Sequence, residues 1–403
     1  MKILVINTGS SSIKYQLFDM DTEKTVVSGL VEKIGEKTSI LTHKPADGQK
    51  GTLKVERERV ADHAQGLSRI VDLLVDREYG VIADISEITA VGHRVVHGGE
   101  DFQSSTIIDD SVIQEVRKNI PLAPLHNPPN LNGIEVARKI FPHAPQVAVF
   151  DTAFHQSLPP RAYLYAIPYS LYKKNRVRRY GFHGTSHAYI TNEAAKFLGK
   201  KKEDVNLITI HLGNGASMAA IRKGRSIDTS MGLTPLEGLV MGTRSGDIDP
   251  ALPFYLANNL DMSLKDIDRL LNKESGVKGL CGINDMREVE DRAAAGEESS
   301  KTALDVYSYR IKKYIGAYYA ALGRVDAIVF TAGIGENSPN IRGMCCEGLE
   351  DMGILLDAVK NEKRSKKNRD ISSPESRVKI LVIPTNEEKR IARETKRVLQ
   401  DQT

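Results

Sequence analysis

The first apolar positions of the chain follow the two-residue period of β-strands. MKILVIN is a short apolar run, and in IKYQLF the side chains of Ile13, Tyr15 and Leu17 fall on one face, as in a strand with one buried side. The NTGSSS segment between them has a single glycine, Gly9. A Walker A loop or a dinucleotide fingerprint needs more glycines and a following helix. The pattern predicts a hairpin whose turn offers amides and hydroxyls to an anion, with Lys14 just beyond it.

A second segment with the same design begins near position 204. In DVNLITIHLGNGASMAAIRKGRSIDTS the apolar run 207–210 corresponds to 3–6, and the polar turn 213–217 corresponds to 7–12. The identity between the two segments is slight, so two unrelated hairpins are the alternative interpretation. We interpret them as a structural repeat, because both turns carry the small and hydroxyl residues that suit phosphate contact.

Strand-like runs alternate with helical patterns along the rest of the chain, which predicts an α/β fold. A helix is expected after Asn127, with Pro128 in its first turn, and the strand QVAVFD ends on Asp151. VDAIVFTAGIGENSP predicts a buried strand that opens into a glycine turn suited to a nucleoside. A long helix over 301–323 ends at Gly323 and carries one apolar stripe of Leu304, Tyr307, Ile311, Tyr314, Ile315, Tyr318 and Leu322.

Composition narrows the class of protein. A chain of 403 residues is long enough for two domains. The net charge of +4 is small for this length, which argues against a nucleic-acid or membrane partner. We expect a cytoplasmic protein, because no apolar run approaches the roughly 20 residues of a membrane span and no signal-peptide pattern is present. The basic runs 173–179 and 363–367 lack interleaved aromatic residues, so we predict solvated surface at both.

The cysteines do not suggest disulfides or metal. Cys345 and Cys346 are adjacent and Cys281 is distant, a spacing that suits neither a disulfide nor a zinc site. We expect all three to be buried in a reduced protein.

Charged residues that follow strands or flank glycines are the candidates for chemistry. Arg94 precedes HGG, and Arg244 lies in MGTRSGD. An arginine beside glycines is suited to anion recognition, although a solvated loop charge is the plain alternative. Asp151, Glu387 and Glu388 follow apolar strands. Each could line a cleft or only favour a helix start, and one of the two glutamates could hold Mg²⁺ through water.

Two histidines lie four residues apart in GFHGTSH. A zinc site would need a third ligand and an adjacent glutamate, and neither is evident near His183 and His187. We predict that His183 donates to a phosphate and that His187 is a surface or packing residue of a helix.

Eight motifs together resemble the acetate kinase family over nearly the whole chain: NTGSSSIK, GHRVVHGGE, FDTAFH, YGFHGTSH, HLGNGAS, TRSGDIDP, GIGEN and TNEE. The resemblance implies a duplicated actin-like (ribonuclease H-like) ATPase fold, in which two similar domains flank a nucleotide cleft. The expected first domain is 1–150 with 386–403. The second, 151–385, is expected to carry most nucleotide contacts. The family converts ATP and acetate to acetyl phosphate and ADP, reversibly, with Mg²⁺ or Mn²⁺, and it is homodimeric.

The resemblance also assigns roles to individual positions. Asp151, His183 and Arg244 match catalytic residues, Arg94 matches the arginine that binds the acid, and the predicted metal ligands are Asn7 and Glu387. The pocket for the acetate methyl group corresponds to Val96, Leu125, Phe182 and Pro235. The nucleotide-binding positions are Ser10, Ser12, Lys14, His211, Leu212, Gly213, Asn214, Gly215, Asp285, Met286, Arg287, Gly333, Ile334, Gly335, Glu336 and Asn337. Some family members have an aromatic residue where Met286 stands, so a stacking contribution there stays open.

These assignments predict direct in-line phosphoryl transfer. A carboxylate acceptor is already anionic near neutral pH, so the enzyme has to offset repulsion rather than remove a proton. Arg94 would hold the acid, and Arg244 and His183 would contact the equatorial oxygens, while Asp151 orients an arginine or the metal's ligands. The alternatives are a propionate or butyrate kinase, and a non-catalytic nucleotide-gated protein of the same fold. The whole interpretation requires the two hairpins to face each other and clasp the nucleotide's phosphates.

Overall fold

The computed structural model describes residues 1–46, 51–124 and 126–402, without the side chains of 56–58, and divides into two compact units. Unit 1 comprises Met1–Phe154 and Asn386–Thr403, and unit 2 comprises His155–Thr385.

Among the described residues of unit 1, one sheet has the strand order β5-β4-β3-β2-β1-β6-β8-β7. Strands β1 to β5 are antiparallel neighbours, β6 and β8 run parallel to β1, and β7 is antiparallel to β8. The strands are β1 Lys2–Thr8, β2 Ser12–Asp19, β3 Lys24–Glu32, β4 Ser39–Pro45, β5 Leu53–Glu58, β6 Ile88–Val95, β7 Thr106–Ile107 and β8 Gln146–Phe150.

The sheet of unit 2 repeats this plan with the order β11-β10-β9-β12-β14-β13. Here β9, β10 and β11 are antiparallel, β12 and β14 run parallel to β9, and β13 is antiparallel to β14. The strands are β9 Asn206–Leu212, β10 Ala216–Arg222, β11 Arg225–Thr229, β12 Ala327–Thr331, β13 Arg369–Asp370 and β14 Lys379–Val382. The two hairpins read from the sequence are therefore confirmed, and they begin equivalent sheets.

Helices connect and cover the strands. The α-helices are α1 His63–Leu74, α2 Asp110–Lys118, α3 Asn127–Ile140, α4 Pro160–Tyr163, α5 Tyr169–Asn175, α6 Gly184–Phe197, α7 Leu252–Asn259, α8 Leu264–Arg269, α9 Gly276–Cys281, α10 Met286–Ala294, α11 Glu298–Leu322, α12 Ala332–Asn337, α13 Pro339–Cys346, α14 Ala358–Glu362 and α15 Glu387–Gln400. Short 3₁₀ turns occur at Ile85–Glu87, Ile120–Leu122, Ala153–Ser157, Lys202–Asp204 and Glu350–Met352, and a π turn at Leu270–Glu274. In the described part of the chain, no helix combines the length and apolar character that crossing a membrane requires.

Both faces of the unit 1 sheet are covered, which explains the unbroken apolar run of β1. Leu4 and Ile6 join the cluster formed with α1 and α3. Ile3 and Val5, on the opposite face, pack with the C-terminal helix α15. The helix can approach closely because β6 has Gly92, where a Cβ would lie 2.5 Å from Thr395 Oγ1.

The predicted long helix is confirmed as α11, which ends at Gly323 with φ +74°. Its stripe is buried except at Tyr314, which is half-buried and donates from its hydroxyl to Asp247. The helix expected after Asn127 instead begins at that residue. The glycine turn predicted at 333–337 is helical, as α12. The spacing of residues in a short segment does not distinguish a loop from one or two turns of helix. The predicted ends of such helices are therefore often one or two residues from the observed ends.

The prediction of solvated surface over 173–179 was wrong at its last two positions. Arg178 is buried, and its guanidinium carbon lies 3.8 Å from the centre of the Tyr163 ring. Arg179 forms an ion pair with Glu237. Aromatic and acidic partners from distant segments bury these charges, which composition alone does not reveal. The predicted burial of the three cysteines is confirmed, and none of them forms a disulfide.

Candidate active site

The first group of predicted residues lies where the parallel strands of unit 1 end. Arg94 is the next-to-last residue of strand β6, and Asp151 directly follows strand β8. The Asp151 Oδ2 atom accepts from Arg94 Nε at 3.0 Å and from Nη2 at 2.6 Å. Burial works against the charged guanidinium, but Asp151 and Glu387 outweigh it and raise the pKa of Arg94. The guanidinium therefore stays charged, and the buried Asp151 side chain orients it.

The start of α15 brings two more carboxylates to the same strand ends. Glu387 Oε2 lies 3.9 Å from Arg94 Nε, and Glu388 Oε1 lies 2.6 Å from Lys14 Nζ. Burial, followed by the nearby Asp151 and Glu388, raises the pKa of Glu387 to about 7 despite the attraction of Arg94. We call these five residues (Arg94, Asp151, Glu387, Glu388 and Lys14) the unit 1 cluster.

The predicted metal ligands, Asn7 and Glu387, both belong to this edge of unit 1. Asn7 pairs with Lys14 in the β1–β2 register, and Lys14 in turn contacts the residue after Glu387. In the unit 1 cluster, three described carboxylates face two cations, so a divalent cation would relieve the excess negative charge. Amide and carboxylate oxygens are donors that Mg²⁺ accepts, and this ion usually takes few protein ligands. The residues present fit the ion.

Two asparagines one helical turn apart fix the loops around this cluster, and sequence reasoning missed their role. Asn130 in α3 donates to Thr8 O at 2.7 Å and accepts from Val96 N at 3.1 Å. Asn127 exchanges two hydrogen bonds with the backbone of His97. The sequence signal that could have identified them is the pair of asparagines three residues apart in NPPNLNG, which share one face of a helix. When that face is buried, the side-chain amides need hydrogen-bond partners.

The turn of the first hairpin is closed by its own backbone. Gly9 N donates to Ser12 O at 2.8 Å, and His63 Nε2 donates to Gly9 O at 2.7 Å. Ser10 is exposed and Ser12 is half-buried. The turn is therefore held rigid while its first serine faces solvent.

A second group of predicted residues converges within unit 2. His183 has left-handed backbone geometry immediately before α6, and its ring stacks on that of His211 with centroids 4.2 Å apart. A Cβ built on Gly215 would lie 3.5 Å from His183 Nε2 and 3.6 Å from Arg244 Nη1. Arg244 Nη1 also donates to Pro235 O at 3.3 Å. We call His183, His211, Gly215 and Arg244 the unit 2 cluster.

The turn between β9 and β10 ties this cluster to neighbouring loops. Gly213 N donates to Gly215 O at 3.0 Å, which closes the turn. The backbone oxygen of Asn214 accepts from Gly242 N at 3.0 Å, and its side-chain oxygen accepts from Asn284 Nδ2 at 3.0 Å. The loop that carries Arg244 and the segment that precedes α10 are thus attached to one glycine-rich turn, whose preceding residue Leu212 is buried.

The predicted nucleoside residues lie on α10 and α12. Asp285 caps α10 and pairs with Arg287, whose side chain is 88% exposed. Met286 is buried, so this side chain packs inward. In α12, Gly333 and Asn337 are exposed, Ile334 is half-buried and Gly335 is buried. Glu336 Oε1 accepts from Thr385 N at 3.0 Å.

The four residues predicted for the methyl pocket are divided between the units. Val96 lies in unit 1 and is buried, whereas Phe182, also buried, and Pro235, half-buried, belong to unit 2. Leu125 lies outside the described residues.

Comparisons with known proteins agree with these motifs. The Acetokinase family profile matches residues 2–393. An acetate kinase of Desulfotalea psychrophila is 56% identical over 99% of this chain and 100% of its own length. Among solved structures, the acetate kinase of Porphyromonas gingivalis matches with a TM-score of 0.93 and 46% identity over 99% of both chains. A propionate kinase of Francisella tularensis matches with a TM-score of 0.92 and 44% identity, covering 98% of this chain and 99% of its own. The predicted α/β, actin-like fold is confirmed by these matches, and the chain belongs to the acetokinase family.

Proposed function

We propose that this protein transfers a phosphoryl group reversibly between ATP and acetate, forming acetyl phosphate and ADP. The observation that carries the proposal is the full-length similarity to proteins named acetate kinase, at 56% identity for the Desulfotalea psychrophila relative. That similarity extends over both the unit 1 and the unit 2 cluster, so it is not limited to a shared nucleotide-binding half.

In this proposal the unit 1 cluster binds the acid. Arg94 contacts the acetate carboxylate, since a guanidinium held by Asp151 at two points is rigidly oriented. Acetate is already an anion near neutral pH, so no residue has to deprotonate it. Asp151 acts by orienting Arg94. The family resemblance assigns the methyl group to Val96, Leu125, Phe182 and Pro235.

The unit 2 cluster acts on the nucleotide. His183 and Arg244 approach the same glycine, Gly215, and there they would contact the equatorial oxygens of the moving phosphoryl group. Donors that are already in place where charge develops supply the largest part of such catalysis. The nucleoside is held by Asp285–Arg287 and by α12, and Lys14, Ser10 and Ser12 contact the phosphates.

Asn7 and Glu387 would hold Mg²⁺, or Mn²⁺ in its place. The ion supplies positive charge that offsets repulsion between the acetate anion and the phosphates. The high pKa of Glu387 is consistent with a position that a cation completes.

The structural match to a propionate kinase supports a second candidate substrate. One methylene changes discrimination by only about 1–3 kcal/mol, so the acids have to be compared directly. We expect kcat/KM to fall from acetate to propionate to butyrate. A higher value for propionate or butyrate would reassign the substrate while leaving the reaction class intact.

Trapping acyl phosphate with hydroxylamine tests the reaction itself. Incubation with ATP, Mg²⁺ and acetate should produce acetohydroxamate, and omission of acetate or ATP should abolish it. If no short carboxylic acid yields hydroxamate, the protein is instead a nucleotide-gated member of the fold without kinase activity.

We also propose a cytoplasmic homodimer with no nucleic-acid or membrane partner. Support for the dimer comes from large apolar side chains on α7 and α8 that are exposed in the single chain, with Phe254 at 68% and Leu264 at 78%. Light scattering coupled to gel filtration should give twice the mass of the 44.5 kDa chain. The absence of disulfides among the three buried cysteines supports a cytoplasmic location.

A further inference from the structure

The hydroxyl of Ser217 lies between two imidazole rings. Ser217 Oγ is 2.9 Å from His183 Nδ1 and 2.8 Å from His187 Nε2. A serine hydroxyl has one hydrogen, so it donates to at most one of these nitrogens. The protonation states of the two rings are therefore linked through a single atom on β10.

His187 continues the chain of hydrogen bonds away from the unit 2 cluster. Its Nδ1 lies 2.7 Å from Thr209 Oγ1, and that hydroxyl lies 3.4 Å from the backbone oxygen of Ala219. Burial, with smaller contributions from His155 and His211, lowers the pKa of His187 well below its ordinary value. His187 is therefore neutral and has one N–H.

Counting hydrogens then assigns a direction to each of these four contacts. Ala219 O can only accept, so Thr209 donates to it and accepts from Nδ1–H of His187. The Nε2 atom of His187 is then bare and accepts from Ser217. Ser217 Oγ in turn accepts from Nδ1–H of His183. This is the arrangement in which all four contacts are hydrogen bonds, because the reverse direction leaves two acceptors facing each other at Thr209 and Ala219.

We propose that Ser217, His187 and Thr209 form a relay that holds His183 as its Nδ1–H tautomer, so that Nε2 donates only from the imidazolium form. The tautomer has a consequence for catalysis, which rests on the proposed function. His183 has to take a proton from solvent onto Nε2 before that atom can donate to a phosphoryl oxygen. Ser217, His187 and Thr209 are positioning residues, since they act through His183.

The groups around His183 make this second proton dependent on the nucleotide. His211 of β9 stacks on the ring, and His187 lies one turn along α6. Arg244, in the loop between β11 and α7, lies near Gly215, as His183 does. None of these three neighbours is an anion, and Arg244 is a cation that opposes an imidazolium. A bound phosphoryl group would add negative charge beside the ring and so favour the imidazolium.

Nitrogen-15 NMR of the histidine side chains tests the tautomer without any turnover. In nucleotide-free protein above the titration of its histidines, with His183→Gln used to assign the signal, we expect neutral His183 to carry its proton on Nδ1. We also expect His187 to carry its proton on Nδ1. A proton on Nε2 of neutral His183 would overturn the relay, whether or not the protein proves to be a kinase.

The pH dependence of kcat provides a second test. In the wild type, kcat should fall on the alkaline side as the imidazolium is lost. Ser217→Ala removes the constraint and lets neutral His183 donate through Nε2. The variant should lose up to roughly 100-fold in kcat through poorer positioning, and its alkaline decline should flatten or move.

Ser226→Ala is the matched control, because it removes another buried hydroxyl, one that lies 2.8 Å from His155 Nδ1. It should keep the wild-type alkaline decline. If Ser217→Ala, folded and active, keeps the wild-type decline as well, the proposed relay is refuted.

Discussion

Arg94 and Asp151 form a two-point ion pair at the ends of adjacent parallel strands, with 2.6 Å between Arg94 Nη2 and Asp151 Oδ2. The Asp151 side chain is 1% exposed and that of Arg94 is 21% exposed. Neither residue is near the other in sequence, and the β6–β8 register brings them together. The contact fits a role for Asp151 in orienting the guanidinium that we propose binds the acid.

Replacing Asp151 with Asn should therefore weaken use of acetate more than it affects folding. The variant keeps the volume but leaves Arg94 without its buried counter-charge. We expect kcat/KM for acetate to fall roughly 30- to 1000-fold, or about 2–4 kcal/mol, as measured by steady-state kinetics. Asp110→Asn is the control, since its ion pair with Arg138 is exposed. Unchanged kcat/KM in Asp151→Asn would show that the ion pair does not serve catalysis.

Arg244→Ala should lower kcat by about 100- to 1000-fold, because it removes a charged donor aimed at the proposed transfer site. The fold should survive, since the described bonds of Nη1 go to Pro235 O and to the Met241 sulfur rather than to a carboxylate. Turnover and circular dichroism measure the two effects. Arg324→Ala, at a side chain that is 74% exposed, should leave both unchanged. Near-normal turnover in Arg244→Ala would refute its role.

Gly215→Ala tests whether space at the second hairpin is needed for the phosphates. The new methyl would lie 3.4 Å from His183 Cε1 and 3.6 Å from Arg244 Nη1, an ordinary contact that the apo fold tolerates. With nucleotide present it would occupy space between these donors, so the KM for ATP should rise by at least about tenfold.

Gly316→Ala in α11 is the control for that variant. A Cβ there meets nothing within 4 Å, and Ala is favoured over Gly in helices by up to about 1 kcal/mol. The control should be slightly stabilised with an unchanged KM for ATP. An unchanged KM in Gly215→Ala would argue that the turn does not contact phosphate.

Glu387 should make the metal-free protein less stable as pH rises. Its folded pKa of about 7 exceeds the ordinary value of 4.5, so between these values the folded state holds a proton that the unfolded state releases. Stability then falls with increasing pH across this window. Above pH 7 the penalty is about 3 kcal/mol, and Glu387→Gln should remove it.

Thermal unfolding in the presence of a chelator, followed across this pH range, measures the difference in stability between the wild type and Glu387→Gln. Glu394 lies on the same helix, but there Arg390 and Arg397 outweigh burial and lower the pKa. Glu394→Gln should therefore be less stable than the wild type. The wild type should lose this extra stability only as pH falls below about 4.5. Equal pH profiles for wild type and Glu387→Gln would contradict the raised pKa.

Local pattern was sufficient for the strands and hairpins of this protein. The alternation of Ile13, Tyr15 and Leu17 predicted a half-buried strand, and all three are fully buried. The apolar stripe of α11 and its end at Gly323 were also predicted from the sequence. These features depend on the two- and 3.6-residue periods of the backbone, which any stretch of sequence displays without reference to the rest of the chain.

The contacts that orient chemical groups were decided by tertiary structure. Lys14 meets Glu388 across 374 positions of sequence, and Ser217 joins two histidines from another element. Sheet order and register determine such partners, because they place β1, β6 and β8 beside α15. The sequence alone determined which residue types were available and which elements they occupy. Only the packed sheets decided which charges and hydroxyls face each other, because burial and distance, rather than residue type, set their pKa values and their hydrogen bonds.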